Sequence, residues 1–178
     1  PERILVTTGS SAGFLLAYIA LFDAGQSLAM AVPGYPAYRN IAAATGIKPH
    51  FIACREASQF RLRAADIARA EKIDGVLIAS PANPSGTMIG AQELEDIVAL
   101  CAKRKLWLVS DEIYHGITYG DPAQTALAFS PDVIVINSFS KYFSMTGWRI
   151  GWMVVPEALA RPIERLAQNL YISPPTIS

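Results

Sequence analysis

Cysteine, charge of one sign and long apolar runs are all scarce in this sequence of 178 residues. Cys54 and Cys101 are its only thiols. Two cysteines that far apart build no disulfide framework, and with only His50 and His115 beside them they offer no metal-ligand spacing. They read as small buried hydrophobes in a reducing, cytoplasmic compartment. The 15 Lys and Arg balance 15 Asp and Glu, giving a net charge of zero. That balance excludes a strong non-specific polyanion binder and leaves room only for a local basic patch. The longest uncharged apolar run, 12–22, falls well short of the roughly 20 residues of a membrane-spanning helix. No basic segment precedes it, so it does not read as a signal peptide. Neither nucleic acid nor a membrane is an expected partner.

Apolar residues are plentiful. At 52% hydrophobic against 17% charged, the chain is not of the disordered class. Its length suits one domain, 1–178, large enough for a sizeable core. The sequence opens Pro1-Glu2-Arg3 without a Met, enters a strand-like run at once and stops at Ser178 in mid-pattern. It is expected to belong to something longer.

Short β-rich runs alternate with helix-length amphipathic stretches. Strands are predicted at 4–8, 27–32, 48–53, 75–79, 106–110, 133–137 and 150–154, and helices at 11–22, 37–45, 64–71, 91–104 and 157–171. In 90–104, Leu94, Ile97, Val98, Leu100 and Cys101 follow the i, i+3, i+4, i+7 spacing of a helix laid on a sheet. Runs such as Val76-Leu77-Ile78-Ala79 and Val133-Ile134-Val135-Ile136 are apolar on both faces, the mark of strands buried in a parallel sheet. The expected fold is a three-layer α/β/α sandwich around a mostly parallel, roughly seven-stranded sheet.

Ligands of such sheets bind beyond the carboxyl ends of the strands, and the chemically capable residues gather there. Gly9-Ser10-Ser11-Ala12-Gly13 follows the first strand; either its small residues, hydroxyls and helix N-terminus serve an anion, or Ser simply caps the helix. Neither nucleotide-binding glycine fingerprint is met. Asn83, between Pro81 and Pro84, follows the fourth strand and could equally satisfy its own turn. Asp111 ends the fifth; it is either a buried carboxylate that needs a cationic or N–H partner or the cap of the next turn. Tyr114 lies three residues on. Lys141 follows the sixth strand through Ser138-Phe139-Ser140. A lysine at an apolar sheet mouth can form a Schiff base with a carbonyl, although a solvated surface role is the simpler one. Arg149 suits bidentate phosphate recognition, and Ser138 could add a hydroxyl. Tyr35 is either a core aromatic or a platform for a flat ring.

Together these pieces resemble the fold-type-I pyridoxal-phosphate enzymes, specifically the class I/II aminotransferases related to aspartate aminotransferase. The matching segments, in the family's order, are Thr8–Phe14 (TGSSAGF), Pro33-Gly34-Tyr35-Pro36, Asn83-Pro84-Ser85-Gly86-Thr87, Ser110-Asp111-Glu112-Ile113-Tyr114, Ser138-Phe139-Ser140-Lys141 and Met145–Gly151 (MTGWRIG). The resemblance covers essentially the whole chain and implies pyridoxal 5'-phosphate as cofactor, with amino acids and 2-oxo acids as substrates. It implies that Lys141 holds the cofactor as a Schiff base and then moves a proton at the substrate Cα. Asp111 would pair with the pyridine nitrogen, Asn83 and Tyr114 would bond the phenolic oxygen, and Tyr35 would stack on the ring. Ser10, Ser11, Ser138 and Arg149 would grip the phosphate, with Ser140 a weaker candidate.

The resemblance also implies parts beyond these residues: an N-terminal segment, and a C-terminal small domain carrying the arginine for the substrate carboxylate. On that reading 1–178 is the cofactor-binding large domain, half of a substrate site, and inactive as it stands. Full-length relatives of this kind are homodimers. Two other assignments use the same cofactor motifs: a C–S lyase, decarboxylase or synthase, or the aminotransferase-like effector domain of a transcriptional regulator.

Overall fold

Strand runs that are apolar on both faces need cover on both faces, and the computed structural model, which describes residues 1–177, supplies it. Seven strands form one sheet in the order β1-β7-β6-β5-β4-β2-β3. They are β1 (Ile4–Thr7), β2 (Ser27–Val32), β3 (Lys48–Ala53), β4 (Gly75–Ala79), β5 (Trp107–Asp111), β6 (Ile134–Ser138) and β7 (Gly151–Val154). The pairs β2–β3, β2–β4, β4–β5 and β5–β6 are parallel. β7 alone runs against its neighbours β1 and β6. The helices are α1 (Ser10–Leu21), α2 (Pro36–Ala44), α3 (Ala64–Arg69), α4 (Ala91–Arg104) and α5 (Glu157–Leu170).

The alternation of strand side chains divides the core in two. Leu77, Val109, Ile134, Ile136 and Met153 face one layer with Phe14, Leu16, Tyr18, Ala42 and Ile163 of α1, α2 and α5. Val76, Ile78, Leu108 and Val135 face the other with Ile67 of α3 and Leu94, Ile97, Val98 and Cys101 of α4. The α4 stripe read from sequence is thus the buried one, apart from a part-buried Leu100. Ile134 and Ile136 are fully buried, and full burial of such a side chain contributes about 1.5–3 kcal/mol. Cys54 and Cys101 are buried free thiols, and burial pushes the Cys101 thiol up to about 12. The fold is the expected three-layer α/β/α sandwich. Among the described residues no helix is long and apolar enough to cross a membrane.

Most predicted bounds shift by a residue or two. β5 begins at Trp107 and runs through Asp111, because Gly75 pairs with Trp107 and Ala79 with Asp111. β6 runs through Ser138, which pairs with Gly151 of β7. A strand ends where its ladder ends, and the partner strand is not visible in a local window.

Candidate active site

The sheet brings five loops to one edge. The parallel strands deliver their carboxyl ends there, and antiparallel β7 delivers its beginning. Around this edge lies a cleft of about 200 Å³ lined by Ser10, Ser11, Tyr35, Asn83, Asp111, Tyr114, Ser140, Lys141 and Arg149, together with Phe14, Tyr38, Ile113 and Thr146. Eight of the nine leading sequence candidates, and the weaker candidate Ser140, therefore share one cavity. The ninth, Ser138, is not among its lining residues. It is buried inside β6, and its Oγ accepts from the Ser140 N–H at 3.1 Å. Its hydroxyl supports the turn into Lys141, and Ser140, two residues on, lines the cleft wall.

The floor of the cleft is Asp111, only 4% exposed. Its Oδ1 accepts from the Ile113 N–H at 3.0 Å, and its Oδ2 accepts a short hydrogen bond from the Tyr38 hydroxyl. The two readings of this residue are compatible: one oxygen caps the following turn while the other faces the cleft side. Burial pushes the carboxyl up to about 6, although the Tyr38 hydroxyl, the Ile113 N–H and the Lys141 charge all pull it down. A buried carboxylate held by neutral donors and without an ion-pair partner among the described residues suits a cationic N–H donor from a ligand.

Asn83 and Tyr114 meet on one wall, Asn83 Nδ2 donating to the Tyr114 hydroxyl at 3.4 Å. Burial, and after it the Asp111 charge, raise the Tyr114 phenol above its ordinary value. Tyr35 begins α2 as its N-cap and stands half-exposed, its ring edge-on to Tyr38 at 5.5 Å. It lines the cleft, where its exposed ring could stack on a flat ligand.

The opposite wall gathers groups that can hold an anion. Gly9 has φ +76°, and a Cβ there would overlap the Arg149 guanidinium. Only glycine lets that guanidinium lie against the chain at the start of α1, beside Ser10 and Ser11. The Thr146 Oγ1 donates to Ser140 O at 2.7 Å, and Arg149 Nη1 donates to Thr146 O at 3.0 Å. These two bonds tie the arginine to the Ser140 turn. Lys141 stands exposed on the rim of the cleft.

Tyr38 is the residue that sequence reasoning missed. Its signal was present: Tyr35 and Tyr38 are three apart at the start of a helix and so share a face. Its partner Asp111 lies 73 positions away, which no local pattern encodes.

An arginine beside a helix start, an exposed aromatic ring, a buried carboxylate and a rim lysine share one cleft of an α/β sheet, an arrangement that can hold a phosphorylated, flat, nitrogen-containing ring bearing a carbonyl. The residues present fit pyridoxal phosphate. The sequence model of the family described as "Aminotransferase class I and II" matches residues 1–178, and the chain belongs to that family, whose enzymes are pyridoxal-phosphate-dependent. A valine–pyruvate aminotransferase of Mycobacterium tuberculosis is 47% identical over 181 residues, covering 100% of this chain and 47% of that protein. A (5-formylfuran-3-yl)methyl phosphate transaminase of Methanocaldococcus jannaschii is 35% identical, covering 100% of this chain and 46% of its own length. A crystal structure of an aminotransferase from Mycobacterium tuberculosis superimposes with a TM-score of 0.96 at 47% identity, covering 99% of this chain and 49% of that one. The chain spans about half the length of the curated relatives it matches.

Proposed function

We propose that residues 1–178 are the cofactor-binding large domain of a pyridoxal-phosphate-dependent aminotransferase, which moves an amino group between an amino acid and a 2-oxo acid. The observation that carries this is the pairing of buried Asp111 on the cleft floor with Lys141 on its rim, under an anion grip at Gly9 and Arg149. When bound, the cofactor supplies an electron sink for the carbanion at the substrate Cα. Asp111 holds a proton on the ring nitrogen, its own raised pKa being reversed by the cation it meets. Asn83 and Tyr114 donate toward the phenolic oxygen, Tyr35 fixes the plane of the ring, and Ser10, Ser11, Ser140 and Arg149 hold the phosphate. Lys141 would hold the cofactor by its amine, and that amine would move the proton at the substrate Cα.

The name of the M. tuberculosis relative supports amino donors and oxo acceptors of the amino-acid class. We take the working unit to be a homodimer. Tyr142, at 56% exposed, and Phe143, its ring partner, form an exposed aromatic pair next to Lys141 that a second subunit would cover.

The test uses the full-length protein. Adding pyridoxal phosphate should give a visible absorption band, and borohydride should fix the cofactor on the peptide containing Lys141. Lys141→Ala should lose both the band and transamination while keeping phosphate-dependent binding. Labelling on another lysine overturns the assignment.

A further inference from the structure

Asn83 and Tyr114 come from different turns, after β4 and β5 respectively, so something must set the distance between them. The backbone link is Ser80 N–H to Asp111 O at 3.1 Å, which closes the β4–β5 ladder. Beyond it, and beside the long 3.4 Å bond between Asn83 and Tyr114 themselves, the His115 side chain spans the two turns. His115 Nε2 lies 3.1 Å from Ser80 O, three residues before Asn83. A carbonyl can only accept, so Nε2 carries the hydrogen in this contact. His115 Nδ1 lies 3.5 Å from Glu112 Oε2.

Glu112 is itself anchored. It is almost fully buried, and its Oε1 accepts from Ser110 Oγ at 3.1 Å and from the Ala126 N–H at 2.9 Å. The ring therefore lies between a fixed carboxylate and the Asn83 turn, and it bonds to both when each ring nitrogen carries a hydrogen. Its own turn also touches the lysine loop. Gly116, at φ +87°, packs so closely on Tyr142 that a Cβ there would come within 2.6 Å of the ring.

We propose that His115 is a positioning residue: with Glu112 it clamps the Ser80–Asn83 and Ile113–Gly116 turns together and so fixes the two donors aimed at the cofactor's phenolic oxygen. This rests on the reading of the cleft as a pyridoxal-phosphate site. Two well-placed donors spread the negative charge of that oxygen and weaken its hold on the neighbouring imine proton. Loosening them leaves more charge on the oxygen and raises the pH at which the proton leaves.

The experiment is a spectrophotometric pH titration of the lysine-bound cofactor in the full-length protein, comparing wild type with His115→Ala. Pyridoxal-phosphate dissociation is measured in parallel, and circular dichroism checks the fold. The expected result for His115→Ala is an upward shift of the spectral transition by about one pH unit, a tenfold change in the proton equilibrium, with several-fold faster cofactor release. His115→Gln, whose amide can still donate to Ser80 O, should titrate between wild type and His115→Ala, and it carries the comparison if the alanine variant does not fold. A folded variant that titrates as wild type does and keeps its cofactor equally long overturns the clamp. A wild-type protein that shows no band and no borohydride label on Lys141 overturns the cofactor reading instead, so the two failures are distinct.

Discussion

Replacing Asp111 with Asn separates the charge of this side chain from its shape. Burial lifts the carboxyl from 3.8 to about 6. Between those two values the folded apo protein holds a proton that the unfolded chain has released. Stability at this site therefore falls as pH rises through that window, and above about 6 the full cost of the buried charge is present. A shift of two pKa units corresponds to a cost on the order of 3 kcal/mol. Asparagine is neutral throughout and fits the same bonds: its carbonyl can keep the Ile113 N–H, and its amide can donate to the Tyr38 hydroxyl, which turns to accept.

In urea unfolding of the apo full-length protein, Asp111→Asn should exceed wild type by up to about 3 kcal/mol at pH 7.5, with the gap closing as pH falls toward 4. On the proposed reading the sign reverses with pyridoxal phosphate bound, because the ring nitrogen would then supply the cation that burial demanded. The variant should lose cofactor affinity, and its turnover should fall by about a hundredfold or more. A variant less stable than wild type at pH 7.5 in the apo form would refute the reasoning. So would a stability gap that does not change with pH.

Tyr38→Phe removes the largest of the contacts that pull Asp111 down, so the carboxyl should rise further. Below that pKa, binding the protonated ring must expel a proton, and affinity falls about tenfold per pH unit. A fluorescence titration with pyridoxal phosphate between pH 5 and 8 should show the midpoint displaced upward, and an unmoved midpoint contradicts the link. Gly9→Ala forces a side chain into φ +76°, ψ 166° and into the Arg149 guanidinium; the backbone cost alone is about 1–3 kcal/mol. Its affinity for pyridoxal phosphate should fall by about tenfold more than its affinity for unphosphorylated pyridoxal. Equal losses for the two ligands would mean that Arg149 does not read the phosphate.

The α4 helix was legible to its last residue because its apolar stripe repeats over four turns and its neighbours are glycine and lysine caps. The sheet was legible as a composition, since Val76–Ala79 and Val133–Ile136 are apolar on both faces, but the reversal of β7 was not. A four-residue strand carries no sign of its direction. That reversal also sets where Ser138 stands. Antiparallel pairing with Gly151 extends β6 through it and turns the serine into a buried support. The remaining candidates could be found because parallel strands bring their carboxyl ends to one edge whatever their order. Tyr38 and His115 escaped because each acts through a partner far along the chain, at Asp111 and Ser80.

The strand order itself explains how so short a set of loops can grip a ligand along its whole length. Gly9, Arg149 and Ser140 come from β1, β7 and β6, three adjacent strands at one end of the sheet. Asp111, Asn83 and Tyr35 follow β5, β4 and β2, the next three in order. On the proposed reading the phosphate lies over the first group, and the ring nitrogen, phenolic oxygen and stacked face lie over the second. Lys141, just past β6, falls at the boundary between them. Only because β7 is reversed does its beginning, with Arg149, reach this edge. Were β7 parallel, Arg149 would sit on the far side of the sheet, and the phosphate group would lose its only arginine among the residues lining the cleft. The antiparallel strand that sequence could not foresee is thus the feature that completes the anion grip.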